Sequence, residues 1–183
     1  IIKNGELQNV ENLGEAQMTS PNTLTDFIKW SAANYPADRY ELVLWNHGGG
    51  TALGFGYDEM YPDDMLSLSQ IGNALSDSGI KFDIVGFDAC LMGTIETAYM
   101  LEPYADYLVA TEEYEPGTGW YYIEWLKNLS DNTSMPTVEI GKKIVEDYIN
   151  GPDSSFFDSN TLSIVDLREI PYTYSKLCEI MQQ

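Results

Sequence analysis

Two short apolar segments, each ending near a reactive side chain, constrain the fold of this chain more than any other feature of its sequence. The first covers residues 41–46 and runs into His47 and three glycines, and the second covers residues 82–88 and is followed closely by Cys90. Segments of this length and composition are typical of strands that are buried on both faces of a parallel sheet. Because a helical pattern lies between them, we expect a crossover connection that makes the two strands parallel.

This arrangement would bring the two reactive side chains together. Parallel strands end at the same edge of a sheet, and open α/β sheets place their functional sites at that edge. His47 is the only histidine of the chain and Cys90 is one of two cysteines, so this edge offers one way to pair an imidazole with a thiol.

The rest of the chain alternates between helical and strand patterns, which predicts an α/β fold with a largely parallel sheet and a single domain over residues 1–183. The segment 1–18 is expected to be irregular or hairpin-like. The other predicted elements are a helix that stops before Asn34, a helix that ends near Gly79, a strand at 107–110, helices near 122–129 and 137–149, a strand at 162–165 and a helix from Pro171.

Two helix predictions depend on local signals. Thr23–Asp26 has the pattern of a capping box, which would start the first helix there and place Phe27 on its buried face. Another helix is predicted to follow Cys90 directly. Its start would place the sulfur of Cys90 near the positive end of the helix dipole.

Cys90 and His47 together indicate nucleophilic catalysis. A cysteine nucleophile needs thiolate character, which a nearby imidazole and a helix N-terminus supply. The backbone N–H groups of Gly48 and Cys90 would then serve as oxyanion donors. The competing interpretation is a cysteine that only packs and a histidine held by hydrogen bonds in a loop. A disulfide between Cys90 and Cys178 would also remove the thiol from chemistry.

The segment His47–Gly50 also resembles the oxyanion loop of lipases and esterases. That class needs a Gly-x-Ser-x-Gly elbow and a second histidine as the base. The corresponding positions around Cys90 are Asp88 and Met92, and the chain has no second histidine. We therefore reject the esterase interpretation.

The charge balance and the apolar runs exclude several kinds of partner. The chain carries 9 Lys and Arg residues against 29 Asp and Glu residues, a formal net charge of −20 at pH 7. Nucleic acid is therefore an unfavourable partner, whereas basic peptides would be attracted, unless the acidic surface only maintains solubility. The apolar runs are far shorter than the roughly 20 residues of a membrane span, and the first residues show no signal-peptide pattern.

Two motifs, Trp45-Asn-His47-Gly-Gly-Gly50 and Gly86-Phe-Asp-Ala-Cys90-Leu-Met-Gly93, occur in this order. With segments at 27–30, 34–37 and 112–120, they resemble the clostripain family of cysteine peptidases, relatives of the caspases and gingipains. The resemblance implies a caspase-like three-layer sandwich, a His47–Cys90 dyad and endopeptidase cleavage after arginine or lysine. It also implies a secreted or cell-surface bacterial protein, no required cofactor and, in some members, calcium dependence and self-cleavage.

The chain departs from this family in three respects. Family members usually carry further strands before the first helix, so the chain is expected to be a partial peptidase domain that is truncated at its N-terminus. One sheet edge would then be unpaired, and the fragment would associate or take up a companion chain. Lys81 is the only basic residue between His47 and Cys90, so we expect segment 48–80 to stay uncut. No EF-hand spacing is present. The acidic side chains that could bind a cation, in a loop that is otherwise simply solvated, are Asp58, Glu59, Asp63 and Asp64.

Asp88 is the candidate for substrate recognition. It lies two residues before Cys90, and side chains two apart on a strand share a face. In the family that the chain resembles, the aspartate at this position helps to form the first substrate pocket and selects a basic residue. A guanidinium group matches a carboxylate with two hydrogen bonds, so arginine should be preferred over lysine. The alternative is that Asp88 caps the helix after Cys90.

The sequence therefore predicts a cysteine endopeptidase in which Cys90 attacks the peptide bond and His47 holds or shuttles the proton. The alternative, from a different functional class, is a catalytically idle relative that binds basic peptides through its acidic face.

Overall fold

The computed structural model describes residues 1–151 and 160–182. The strands are β1 (Ile2–Lys3), β2 (Glu6–Leu7), β3 (Glu41–Trp45), β4 (Phe82–Asp88), β5 (Ala105–Ala110) and β6 (Ser163–Asp166). The helices are α1 (Pro21–Asn34), α2 (Gly50–Leu53), α3 (Leu68–Ser78), α4 (Ile95–Leu101), α5 (Tyr122–Asp131), α6 (Thr137–Asn150) and α7 (Ile170–Met181), with a 3₁₀ turn at Leu167–Glu169. Among these described helices, none is both long and apolar enough to cross a membrane.

Four strands form the central sheet in the order β3-β4-β5-β6. β4 runs parallel to both β3 and β5, and β6 is antiparallel to β5. Helical connections separate the parallel strands, as parallel pairing requires. The predicted α/β fold with a largely parallel sheet is confirmed, and the expected N-terminal hairpin corresponds to β1 and β2, which pair antiparallel.

Helices cover both faces of this sheet. Successive residues of a strand point to opposite faces, and in β4 Ile84 joins one buried cluster whereas Val85 and Phe87 join the other. The larger cluster includes residues of α1, α3, α4 and α7, and the smaller includes residues of α5 and α6. The result is the three-layer sandwich that the sequence predicted.

β3 lies at one edge of the sheet, and among the described strands only β4 pairs with it. Trp45 ends this strand and is 72 % exposed. An unpaired edge strand presents free N–H and C=O groups to any further strand. The structure of the described residues thus contains the open edge that the sequence predicted.

The first helix begins earlier than the sequence predicted. α1 starts at Pro21, which suits the first helical turn because proline has no N–H that needs a partner there. The capping box predicted at Thr23–Asp26 is wrong, since the Thr23 hydroxyl donates to the carbonyl oxygen of Gln17. Phe27 is 57 % exposed and does not belong to the buried face.

Candidate active site

The register of the central strands brings His47 and Cys90 to the same edge. Trp45 of β3 is aligned with Asp88 of β4, so the chain reaches His47 and Cys90 two residues beyond each member of this pair. The N–H of Asn46 also donates to the carbonyl oxygen of Asp88 at 3.3 Å, which extends the alignment past the strand end. Both reactive side chains therefore open into one cavity, as the sequence predicted.

This cavity has a volume of about 420 Å³. Its walls come from the end of β3, the end of β4 and the loop that follows β5. The residues that line it are Trp45, Asn46, His47, Asp88, Ala89, Cys90, Glu115, Pro116, Gly117 and Gly119.

The backbone around His47 is fixed by Asn46, a residue that the sequence analysis did not single out. The side-chain oxygen of Asn46 accepts from the N–H of His47 at 2.7 Å and from the N–H of Tyr57 at 2.9 Å. Its amide nitrogen donates to the carbonyl oxygen of Tyr57 at 3.2 Å. His47 itself is exposed, and its ring meets the ring of Tyr57 edge-on with centroids 6.1 Å apart. The side chain of His47 is thus exposed while its backbone is held.

The glycine after His47 allows the two strand ends to approach each other. A Cβ atom on Gly48 would lie 2.0 Å from the carbonyl oxygen of Cys90, so any other residue would push the loops apart. Neither the N–H of Gly48 nor that of Cys90 donates to an acceptor within residues 1–151 and 160–182. These two N–H groups, predicted as oxyanion donors, therefore have no acceptor in the part of the chain that the structure describes, and of the two residues only Cys90 lines the cavity.

The helix after Cys90 does not start where the sequence predicted. α4 begins at Ile95 with Thr94 as its cap, so Cys90 does not lie on a helix N-terminus. The intervening turn places Leu91 in the left-handed region, with φ of 63°. Hydrogen bonds to the loop after β5 fix this turn, with the N–H of Leu91 donating to the carbonyl oxygen of Glu113 at 3.0 Å. The proposed helix dipole at the sulfur is wrong for this reason.

The backbone of Glu115 contacts the thiol of Cys90. Its N–H donates to Cys90 Sγ at 3.2 Å. The thiol donates in turn to the carbonyl oxygen of Glu115 at 3.9 Å, so this residue fixes the position of the sulfur. Both Cys90 and Cys178 are free thiols, so the alternative of a disulfide between them is also excluded.

Asp88 is 2 % exposed. Its carboxylate is bonded by the loop that leads into α5 and by the first residue of that helix. Its carboxylate accepts from the N–H of Trp120 at 3.1 Å and from the hydroxyl of Tyr122 at 2.8 Å. Gly119, at φ of +67°, packs so closely that a Cβ atom there would lie 2.7 Å from the carboxylate oxygen. The alternative role as a helix cap is wrong, because Thr94 caps α4.

Glu115 is a second carboxyl group in the cavity, and the sequence analysis did not assign it to the site. Its Oε1 accepts from the indole N–H of Trp120 at 3.1 Å, and it lines the same cavity as Asp88. Burial, followed by the charge of Asp88, raises the pKa of Glu115 from 4.5 to about 8. Topology could have found this residue, because the loop after β5 leaves the same sheet edge as the ends of β3 and β4.

The acidic loop lies outside this cavity. Asp58 accepts hydrogen bonds from the N–H groups of Met18 and Met60, and Asp64 accepts from the side chain of Gln17. Within residues 1–151 and 160–182, no group of three or more His, Cys, Asp or Glu side chains could hold a metal ion. The calcium dependence implied by resemblance, with Asp63 among its candidates, stays a prediction.

Comparisons with known proteins agree with this geometry. A sequence model described as the clostripain family matches residues 1–183. Clostripain from Hathewaya histolytica is 36 % identical over 126 residues, which are 59 % of this chain and 24 % of that protein.

Solved structures show the same fold. A secreted C11 cysteine protease from Bacteroides thetaiotaomicron, solved with an irreversible peptide inhibitor, has a TM-score of 0.75 at 24 % identity, over 90 % of this chain and 50 % of that one. An inactive zymogen C11 protease from Parabacteroides distasonis has a TM-score of 0.70 at 26 % identity, over 89 % and 44 %. The chain thus spans about half the length of these structural relatives or less.

Proposed function

Because the chain belongs to the clostripain family, we propose that it is a cysteine endopeptidase that cleaves after basic residues and prefers arginine over lysine. The observation that carries this proposal is the composition of one cavity. A thiol, Cys90, an imidazole, His47, and a buried carboxylate, Asp88, line it together. This set matches a nucleophile, its proton carrier and a charge that attracts a cationic side chain.

In the proposed mechanism, the thiol of Cys90 passes its proton to His47 and Cys90 Sγ attacks the carbonyl carbon of the substrate. The N–H groups of Gly48 and Cys90 stabilise the resulting oxyanion. His47 protonates the leaving amine, and the C–N bond breaks to give a thioester. His47 then removes a proton from water, which attacks the thioester and regenerates the thiol. The N–H of Glu115 supports this cycle because it holds the sulfur of Cys90 in the cavity.

The proposed selectivity follows from the position of Asp88. Its carboxylate lines the cavity beside Cys90, so the substrate residue just before the cleaved bond would place its side chain against it. A guanidinium group makes two parallel hydrogen bonds to a carboxylate, whereas an ammonium group acts as a point charge. Arginine is therefore expected to be the better substrate residue.

The test is covalent labelling with an arginine-derived acyloxymethyl ketone, read by intact-mass spectrometry. We expect one label per chain, lost in Cys90→Ala and retained in the matched control Cys178→Ala. The matching norleucine reagent should label more slowly. Binding of basic peptides without any labelling would instead support the idle peptide-binding alternative.

The open edge of β3 supports a second part of the proposal, that a companion chain or further segment adds a strand there. The exposed Trp45 side chain at this edge would become buried in such an assembly. A mass measurement under native conditions would show whether the purified chain associates.

We also propose a secreted or cell-surface location, since the related protein from Bacteroides thetaiotaomicron is described as secreted.

A further inference from the structure

Glu115 touches both functional parts of the cavity. Its backbone N–H donates to the sulfur of Cys90, and its carboxyl group lies against Asp88. Trp120 bridges the two acids, because its backbone N–H donates to Asp88 and its indole N–H donates to Glu115. The loop after β5 thus places a second acid directly beside the proposed substrate pocket.

Trp120 donates to both carboxyl groups, and both residues line the same cavity. Burial, followed by the charge of Asp88, therefore disfavours ionisation of Glu115. The acidic groups that face Glu115 are Asp88 from β4 and, more weakly, the hydroxyls of Tyr122 from α5 and Tyr148 from α6. Cys90 and His47 share the cavity, and no cation contributes to the pKa of Glu115.

We propose that Glu115 is a specificity-determining residue that holds a proton while the pocket is empty and releases it to solvent when a guanidinium or ammonium side chain binds between Glu115 and Asp88. The proposal rests on the proposed function, because it places a basic substrate residue in this cavity. One proton leaves as one cation enters, so the net charge of the acid pair and its occupant stays constant. The O–H bond of the Glu115 carboxyl group breaks as its proton passes to water, and no other covalent bond changes in this step.

This exchange of a proton for a cation lets the acid pair select basic side chains, while the empty pocket does not have to hold two negatively charged carboxylates. A neutral side chain of the same shape cannot replace the proton. It leaves Glu115 protonated and gains little binding free energy in the pocket. A basic side chain gains two ionised partners. Selectivity for basic over neutral residues should therefore increase with pH until Glu115 is ionised in the empty pocket.

The first experiment measures proton release on binding. Cys90→Ala, which cannot turn over, is titrated with an arginyl peptide and with its citrulline analogue by calorimetry at pH 7, in buffers of different ionisation enthalpy. We expect close to one proton released per arginyl peptide and none with citrulline. Adding Glu115→Gln should abolish the release, whereas adding Glu113→Gln, an exposed glutamate on the same loop, should leave it unchanged.

The second experiment measures kcat/KM of the active chain for arginyl and citrulline substrates between pH 6 and 9.5. The ratio of the two values removes the titration of the thiol and the imidazole, which affects both substrates. We expect this ratio to rise up to tenfold per pH unit and to level off near pH 8. In Glu115→Gln the ratio should be flat and at least tenfold lower at pH 8.5.

The results separate the two proposals. Cleavage after arginine without proton release, together with an unchanged ratio in Glu115→Gln, overturns the role of Glu115 and leaves the proposed function standing. Absence of cleavage after any basic residue overturns the proposed function itself, and the role of Glu115 with it. The calorimetric measurement on unaltered Glu115 remains decisive even if Glu115→Gln does not fold.

Discussion

The loop that carries His47 and the loop that closes over Asp88 meet at one cavity, yet they are held in opposite ways. The first is fixed through backbone groups by Asn46, and its imidazole stays exposed. The second is fixed through a carboxylate that is 2 % exposed and is bonded by Trp120 and Tyr122. The comparison suggests that one side supplies a mobile proton and the other a fixed charge, so changes on each side should have distinguishable effects.

The largest effect is expected from the reacting side chains. Cys90→Ala and His47→Ala should each lower kcat/KM by at least about 10³-fold, because each removes a group that takes part in bond making or proton transfer. Cys178→Ala, in α7, should keep wild-type activity. The measurement is steady-state hydrolysis of an arginyl substrate, and activity retained in Cys90→Ala would refute the assignment.

The next largest effect should come from the fixed charge. Asp88→Asn removes one partner of a buried charge pair with the substrate, which costs about 2–5 kcal/mol, or roughly 30- to 5,000-fold in kcat/KM for arginyl substrates. Norleucine substrates should lose much less. If the variant has a lower melting temperature but wild-type discrimination between arginine and norleucine, Asp88 is structural and the contrast between the two loops disappears.

A smaller and less selective effect is expected on the histidine side. Asn46→Ala leaves the N–H groups of His47 and Tyr57 without their acceptor, which should lower kcat/KM by about tenfold through misplacement of the imidazole. Arginyl and norleucine substrates should be affected equally, unlike in Asp88→Asn. Asn34→Ala, an exposed asparagine at the end of α1, serves as the matched control. A selective loss for arginine would show that the two loops are not independent.

The smallest effect concerns stability against pH. The pKa of Glu115 is raised to about 8 by burial and by Asp88, so the folded chain holds this proton more tightly than the unfolded chain does. Stability should therefore fall as the pH rises from about 4.5 to about 8, by about 1–3 kcal/mol from this group. Urea unfolding at several pH values measures the fall, which should be shallower in Glu115→Gln and unchanged in Glu113→Gln.

The parts of the site that could be predicted from sequence are those fixed by strand pattern. The runs that end at Asp88 and Trp45 are mostly apolar, so their parallel pairing and the arrival of His47 and Cys90 at one sheet edge follow from general rules of α/β sheets. The predicted burial on both faces holds for β4, whereas β3 is only half-buried because it is an edge strand. The three-layer arrangement follows from the same alternation of strands and helices.

The parts that sequence reasoning missed depend on contacts between distant segments. The turn after Cys90 adopts its conformation because Leu91 and Gly93 bond to the loop after β5, and no local pattern around Cys90 reports this. Glu115 was overlooked because its role depends on burial beside Asp88, which only the folded chain shows. Thr23 failed as a cap because Pro21 already starts the helix.

The contact between Trp120 and the acid pair also gives this protein an optical reporter. The Trp120 side chain is 3 % exposed, packs one edge of its ring closely against Gly86, and donates its indole N–H to Glu115. Ionisation of that carboxyl group, or arrival of a cation beside it, changes the electric field across the indole ring. Tryptophan fluorescence compared between the native chain and Trp120→Phe should therefore follow occupancy of the pocket directly, without any attached dye and without catalytic turnover.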